Sequence, residues 1–360
     1  ISCMLWCSAL LLRQQGFFIL NIFNNSYVLK PNPTKGTKMK RILIIDALNM
    51  FYRAYAKDPS LSISGNPIGG CLGFLKSFQK SIRLTKPDDV VIVWDGAGGS
   101  NKKRHINKEY KQGRRVVQMP KDMNGRLDGD DSLRNKIWQQ SRLFEYLDNL
   151  PFCQFTFEGV EADDVISAIV RSDVTKDMQK VIFSNDYDFM QLCDKSTVLY
   201  RPAKNNILSL NTILEEYKIH PNNMALARAI AGDKSDNLPG VPGVGLFTVA
   251  KYFPFLSEEE DYSVQDLIVK CEDKLLNEKK GKRTLEKIIE HGDIIQQNYR
   301  IMQLYNPSIS YNSKKEIDYC LGNIERHYNM TNFRLMLAED GFMSYGWSIL
   351  ETTMKRIITQ

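Results

Sequence analysis

Short, wholly apolar runs alternate with longer amphipathic stretches from about Met39 onward, and this alternation predicts a repeated strand–helix frame. Ile42–Ile45 is apolar at every position, as in a strand buried on both faces. Ile68–Thr85 follows with helical periodicity, Leu72, Leu75, Phe78, Gln79 and Ile82 approximating one stripe. Val90–Trp94 predicts a second buried strand. Ser132–Leu150 predicts a helix with an apolar face of Leu133, Ile137, Gln140, Phe144 and Leu147, stopped before Pro151. Phe152–Phe157 reads as a strand, Glu161–Arg171 as a helix and Val181–Phe183 as another strand, and the chain turns helical after about Ile207. Such repetition implies an α/β fold, a mostly parallel sheet covered by helices.

Acidic residues interrupt this frame at one recurring place, just past each predicted strand. Asp46, Asp95, the group Glu161-Ala162-Asp163-Asp164 and the group Asp186-Tyr187-Asp188 all fall there. That is the carboxyl edge of the sheet, where open α/β folds bind ligands. Asp233-Lys234-Ser235-Asp236 completes the set and runs into Gly240-Val241-Pro242-Gly243-Val244-Gly245. One acid at a helix start is ordinarily a cap or a dipole partner. Converging acids are different, because two of them about 4 Å apart repel by roughly 4 kcal/mol at an effective dielectric near 20. Such a cluster persists only with bound cations or raised pKa values. Hard cations such as Mg²⁺ take oxygen ligands and bridge carboxylates to substrate phosphates. Gly240, Gly243 and Gly245 would let backbone approach a phosphate, with exposed amides at the following helix start. The conjunction predicts a metal-dependent enzyme acting on nucleic acid.

Gly96–Asp131 departs from the frame and is too long for an ordinary connection. It is heavily basic, with Lys102, Lys103, Arg104, Lys108, Lys111, Arg114 and Arg115. Lys111 and Arg114 stand one helical turn apart, a spacing that suits joint contact with one phosphate, and Tyr110 is a candidate to stack on a base. The four histidines show no metal spacing, and no Walker A or GxGxxG sequence is present, which disfavours an ATPase or a dinucleotide enzyme.

Composition changes the picture little. The 360 residues are 43% hydrophobic and 25% charged, ordinary for a globular chain that holds one large domain with appendages or two domains. Net charge is +6, but Arg13, Lys30, Lys35 and Lys38 supply four of those charges, leaving 44 basic against 42 acidic residues from 39 onward. Basicity is therefore local, in the 97–131 stretch. Seven scattered cysteines without a metal-type pair favour free thiols in a reducing compartment. Within 1–38 neither apolar run reaches the roughly 18 residues a bilayer span needs, and no positive charge precedes them. Met39 is the expected start, with 1–38 read as a non-native N-terminal extension.

Taken in order, the motifs resemble the 5′-nuclease superfamily of bacterial and phage 5′→3′ exonucleases, flap endonucleases and phage RNase H. They are Ile44-Ile45-Asp46, Val93-Trp94-Asp95-Gly96, Tyr110-Lys111-x-x-Arg114, Glu161-Ala162-Asp163-Asp164, Ser184-Asn185-Asp186-Tyr187-Asp188 and Gly232-Asp233-x-x-Asp236-Asn237. The resemblance covers about Met39 to Phe255 and loosely the remainder. It implies a PIN-like catalytic domain over 39–206 with a helical arch at 97–131. It also implies a helical DNA-binding domain over 207–360 with a helix-three-turn-helix motif at 232–255. Two Mg²⁺ ions are implied, with Mn²⁺ as substitute: Asp46, Asp95, Glu161 and Asp163 for the first, Asp186, Asp188, Asp233 and Asp236 for the second, and Asp164 between them. Lys111 and Arg114 match arch residues that contact the scissile phosphate. Tyr110, Lys102, Lys103, Arg104, Lys108, Arg115, Gly240, Gly243 and Gly245 would serve DNA binding. The family often has glycine where Ala47, Asn185 and Tyr187 stand.

The expected activity is that of a structure-specific 5′ nuclease, exonuclease and flap endonuclease, in replication, primer removal or repair. A primer-removing RNase H specialist and a non-catalytic DNA-binding protein are the alternatives, and the presence of all nine acids counts against the latter. The expected partners are DNA with a 5′ flap, 5′ end or RNA primer, and replication proteins such as a clamp or single-strand-binding protein. The expected state is a monomer in bacterial or phage-infected cytoplasm, without membrane association.

Overall fold

Six strands form one sheet: β1 (Arg41–Asp46), β2 (Asp89–Val93), β3 (Cys153–Phe155), β4 (Gln179–Phe183), β5 (Thr197–Arg201) and β6 (Asn206–Leu208). The computed structural model describes residues 39–114, 116–120, 127, 129–277, 281–323, 328–343 and 345–359. The strand order is β3-β2-β1-β4-β5-β6. The first five strands are parallel and β6 runs antiparallel to β5. The chain lays β2 and β3 on one side of β1 and then crosses to place β4 on the other. That reversal opens a crevice at the carboxyl ends of β1 and β4, the place where ligands enter open α/β sheets.

Alternate strand residues feed two hydrophobic clusters, one on each face. Ile42, Ile44, Val91, Val93, Ile182 and Leu199 pack with helices Ala162–Val170 and Pro221–Ala231. Leu43, Ile45, Val90, Ile92, Phe183 and Tyr200 pack with helices Ala47–Tyr55 and Gly69–Thr85. The second cluster also takes Phe333, Leu337, Leu350, Met354 and Ile357 from helices Met330–Glu339 and Ser348–Ile358. The end of the described chain thus returns to the helix layer on this face of the sheet, against Gly69–Thr85 and Gly129–Asp148.

Three expectations need correction. The strand expected over Phe152–Phe157 is only Cys153–Phe155, because Trp94 N and Gly96 N pair with Phe155 and Val160 and lead the chain away. Two strands, β5 and β6, stand before and at the expected onset of the helical region, and the next helix begins at Leu210. Helix Gly129–Asp148 forms, but Leu133, Ile137 and Phe144 are exposed and the buried face is Gln139, Leu143, Tyr146 and Leu147. Gln139 is held there by bonds to Pro67 O (2.9 Å) and Asn135 Oδ1 (2.8 Å). No helix among the described residues is long and apolar enough to cross a membrane. Residues 1–38, and with them the extension reading, lie outside the described residues.

Candidate active site

Asp46 ends β1 and caps helix Ala47–Tyr55. Its Oδ1 accepts from Asn49 N at 3.2 Å and its Oδ2 from Ser184 Oγ at 2.8 Å. Burial pushes Asp46 up to about 7, the charge of Asp95 adds to this, and the Ser184 and Asn49 bonds oppose it. Asn185, where the family often has glycine, donates from N (3.1 Å) and Nδ2 (2.9 Å) to Asn49 Oδ1 and accepts from Ala203 N (2.8 Å). Asn185 thereby ties its own loop to helix Ala47–Tyr55 and to the turn at Ala203.

Beyond β2, Asp95 Oδ1 accepts from Ala162 N at 2.7 Å, the first residue of the helix that begins beside Glu161. Burial raises the Asp95 pKa. Gly96 is required sterically, since a Cβ there would stand 1.7 Å from Phe157 O. Glu161 is saturated with donors: Lys103 Nζ at 2.7 Å and Tyr110 Oη at 3.2 Å on Oε2, and Lys111 Nζ on Oε1. Lys103 also holds Asp163 Oδ2 at 2.7 Å. Burial alone would raise Asp163, but Lys103 and Lys111 hold it below the usual carboxylate range. Asp164 accepts from Ser308 N at 2.7 Å; burial, then the charge of Asp163, raises it to about 6.

The second group is joined by an arginine that sequence reasoning missed. Arg228 Nε meets Asp188 Oδ1 at 2.6 Å and its Nη2 meets Asp233 Oδ2 at 2.7 Å. A signal existed: Arg228 is the one charged side chain in Met224–Ala231, immediately before Gly232-Asp233. Burial raises Asp188 to about 7 against the opposing charge of Arg228. Asp186 Oδ1 accepts from Asp188 N at 2.8 Å, and Asp233 Oδ1 accepts from Ser235 N at 2.7 Å and Ser235 Oγ at 2.6 Å. Asp236 pairs with Arg114, and its carbonyl accepts from Lys111 N at 2.8 Å. Asn237 Nδ2 donates to Glu109 O at 3.0 Å, so the loop 233–237 supports the segment 109–114.

The nine predicted acids therefore face one region and feel one another. Asp46 senses Asp95 and Asp186, Asp95 senses Asp163 and Glu161, and Asp186 senses Asp163 and Asp236. Their all-oxygen chemistry fits hard divalent cations. Among the described residues no three of them already stand as a ready cation nest. Lys103, Lys111, Arg114 and Arg228 neutralise them instead.

Several expected roles are corrected. Tyr110 is 2% exposed, packed with Leu238, Ile301 and Met302, so its ring is not available to a base. Lys103 is buried against Glu161 and Asp163, unlike exposed Lys102, Arg104 and Lys108. Lys111 and Arg114 lie past the short helix Asn101–Ile106, and Lys111 has φ +56°, so they do not share a helical turn. Gly240 serves packing, since a Cβ there would meet Ala231 backbone at 2.2 Å. Gly243 (φ +82°) and Gly245 have open space around them. Arg115 and parts of the arch lie outside the described residues.

Residues 41–218 match the family model of the 5′-3′ exonuclease N-terminal resolvase-like domain. A 5′-3′ exonuclease of Buchnera aphidicola subsp. Schizaphis graminum is 31% identical over 214 residues, covering 59% of this chain and 69% of that protein. The chain belongs to the 5′-3′ exonuclease family. The DNA polymerase I of Caldicellulosiruptor bescii is also similar, 31% identical over 236 residues, which span 63% of this chain but 26% of the polymerase. The exonuclease fold is shared with the T5 D15 protein co-crystallised with metal ions (TM-score 0.56, 17% identity, 89% of this chain and 99% of that one). Human GEN1 in complex with Holliday junction DNA shares it too (TM-score 0.54, 11% identity, 89% and 72%).

Proposed function

We propose that this family member is a structure-specific 5′ nuclease, acting as 5′→3′ exonuclease and 5′-flap endonuclease with two Mg²⁺ ions, for which Mn²⁺ can substitute. The observation that carries the reading is the convergence of nine carboxylates at the sheet's switch point, beneath the base of the 97–131 insertion. Asp46, Asp95, Glu161 and Asp163 form one ligand group. Asp186, Asp188, Asp233 and Asp236 form the other, with Asp164 between them and anchored to Ser308. When bound, such ions lower the pKa of a water to give hydroxide and stabilise the leaving 3′ oxygen.

The chain's own residues supply the rest. Lys111 and Arg114 exchange Glu161 and Asp236 for the scissile phosphate and stabilise its developing charge. Lys102, Arg104 and Lys108, exposed on the arch base, take duplex phosphates, and the open backbone at Gly243 and Gly245 takes another. The reading places a monomer in bacterial or phage-infected cytoplasm, with a clamp or single-strand-binding protein as working neighbours.

The test uses a 5′-labelled flap with either a DNA or an RNA 5′ strand, in Mg²⁺ and in EDTA. Mg²⁺-dependent release of the 5′ strand is expected, with Asp163→Asn and Asp188→Asn binding the flap but not cutting it. Normal turnover by either variant overturns the two-ion assignment. Cleavage confined to the RNA strand replaces flap processing with primer removal.

A further inference from the structure

Lys103 lies outside the motifs that carry the family resemblance, and it is the most deeply placed lysine of the arch base. It is 7% exposed, and lysines are almost never buried without a partner. Its ammonium stands 2.7 Å from Glu161 Oε2 and 2.7 Å from Asp163 Oδ2. Those two oxygens belong to consecutive members of one candidate ligand group, contributed by a single helix start. A divalent ion coordinated by the same oxygens at about 2.0–2.1 Å and an ammonium bonded to both cannot coexist. At about 4 Å apart, even two unit positive charges repel by roughly 4 kcal/mol at an effective dielectric near 20.

The ammonium also has somewhere to go. Lys103 and Asp164 together line a cavity of about 500 Å³ shared with Lys102, Ile106, Tyr299 and Ser308. Asp164 gives the cavity its one carboxylate, with the polar side chains of Gln296, Gln303 and Asn306 and the cations Lys102 and Arg300 also on its walls.

We propose that Lys103 is an internal cation occupying the first ion's place between Glu161 and Asp163, which must swing into the adjoining cavity before a divalent ion binds there. This rests on the reading of these acids as ion ligands. Lys103 thereby sets the divalent concentration at which the site loads. It keeps the acids neutralised and in place when the ion is absent, and it excludes cations too weakly bound to displace it. The observed affinity equals the intrinsic affinity scaled by the fraction of molecules with the ammonium withdrawn. If that fraction is one in ten or less, removing the ammonium tightens binding by about tenfold or more.

The experiment is calorimetric titration of Mn²⁺ into the DNA-free full chain, comparing wild type, Lys103→Met and Lys57→Met, the last controlling for loss of one remote positive charge. The expected result is an Mn²⁺ Kd at least tenfold lower for Lys103→Met and unchanged for Lys57→Met. Equal or weaker binding by a folded Lys103→Met refutes the proposal while wild-type Mn²⁺ binding leaves the nuclease reading intact. Absence of Mn²⁺ binding in every variant overturns both. A second measurement needs no variant: amine acylation of wild type, followed residue by residue by mass spectrometry. Lys103 should react several-fold faster with Mn²⁺ than in EDTA, and an equal rate sinks the exchange.

Discussion

Arg228→Met is the sharpest perturbation of the second carboxylate group. The guanidinium lies 2.6 Å from Asp188 and 2.7 Å from Asp233, with 10% of the arginine side chain exposed against 15% and 19% of its partners. These are buried pairs, for which removal of one partner typically costs about 3–5 kcal/mol because the remaining charge is left uncompensated. Methionine keeps most of the aliphatic stem, so little of the loss is cavity formation. The expected result in EDTA is a drop of about 3–5 kcal/mol in urea unfolding free energy. A saturating divalent ion restores positive charge beside Asp188 and Asp233. It should recover about 2.7 kcal/mol at one hundred times its Kd, for ligand binding to the native state alone. The deficit should also shrink on acidification. Asp188 is already raised to about 7 with Arg228 present and rises further without it. Between the unfolded carboxyl value and that folded value the native state holds the extra proton, so stability falls as pH rises. The variant is therefore relatively worst at pH 8 and nearest wild type around pH 5. A loss below about 1 kcal/mol in EDTA, the scale of an exposed pair, would refute the buried-bridge reasoning.

Two further outcomes are expected elsewhere. Gly240→Ala drives a Cβ to 2.2 Å from Ala231 backbone and should cost at least the roughly 1–3 kcal/mol of overpacking. Gly243→Ala, open but at φ +82°, should cost only about 1–2 kcal/mol; the reverse order in urea denaturation refutes the packing assignment of Gly240. His220 accepts from Asn222 N at 3.2 Å through Nδ1, and burial lowers its pKa. The unfolded chain therefore takes the proton first, and stability should fall as pH drops from about 6.5. His220→Asn, which keeps a capping oxygen, should flatten that slope, and an unchanged slope removes the histidine from the account.

The sheet was legible because strands β1, β2 and β4 each carry an uninterrupted buried apolar run, Ile42–Ile45, Val90–Val93 and Val181–Phe183. β5 and β6 escaped notice because Thr197, Arg201 and Asn206 supply polar positions that a period test reads as loop. The acids were legible as a group because all but Asp233 and Asp236, which follow helix Pro221–Ala231, come after a strand, a property of chain order. Their counter-charges were not. Lys103 and Arg228 reach Asp163 and Asp188 across 60 and 40 residues, respectively, and no local spacing encodes such a pairing. Tyr110 reads as an exposed aromatic in a basic run, and only the tertiary contact with Glu161 and Leu238 shows it buried. The helix Gly129–Asp148 has apolar residues on two sides, and periodicity alone chose the exposed one.

The packing of helices Met330–Glu339 and Ser348–Ile358 on helices Gly129–Asp148 and Gly69–Thr85 has a consequence for biosynthesis. Leu350 N bonds Gln79 Oε1 across 271 positions, and Arg142 reaches Glu339 and Asp340 across nearly 200. At the usual pace of translation, about 5–20 residues per second, roughly 10–35 s separate the emergence of Phe183 from that of Ile357. Throughout that interval the outer sides of helices Gly69–Thr85 and Gly129–Asp148 lack this covering layer. The nascent chain thus presents an apolar helix layer for many seconds before the helices that cover it have been made.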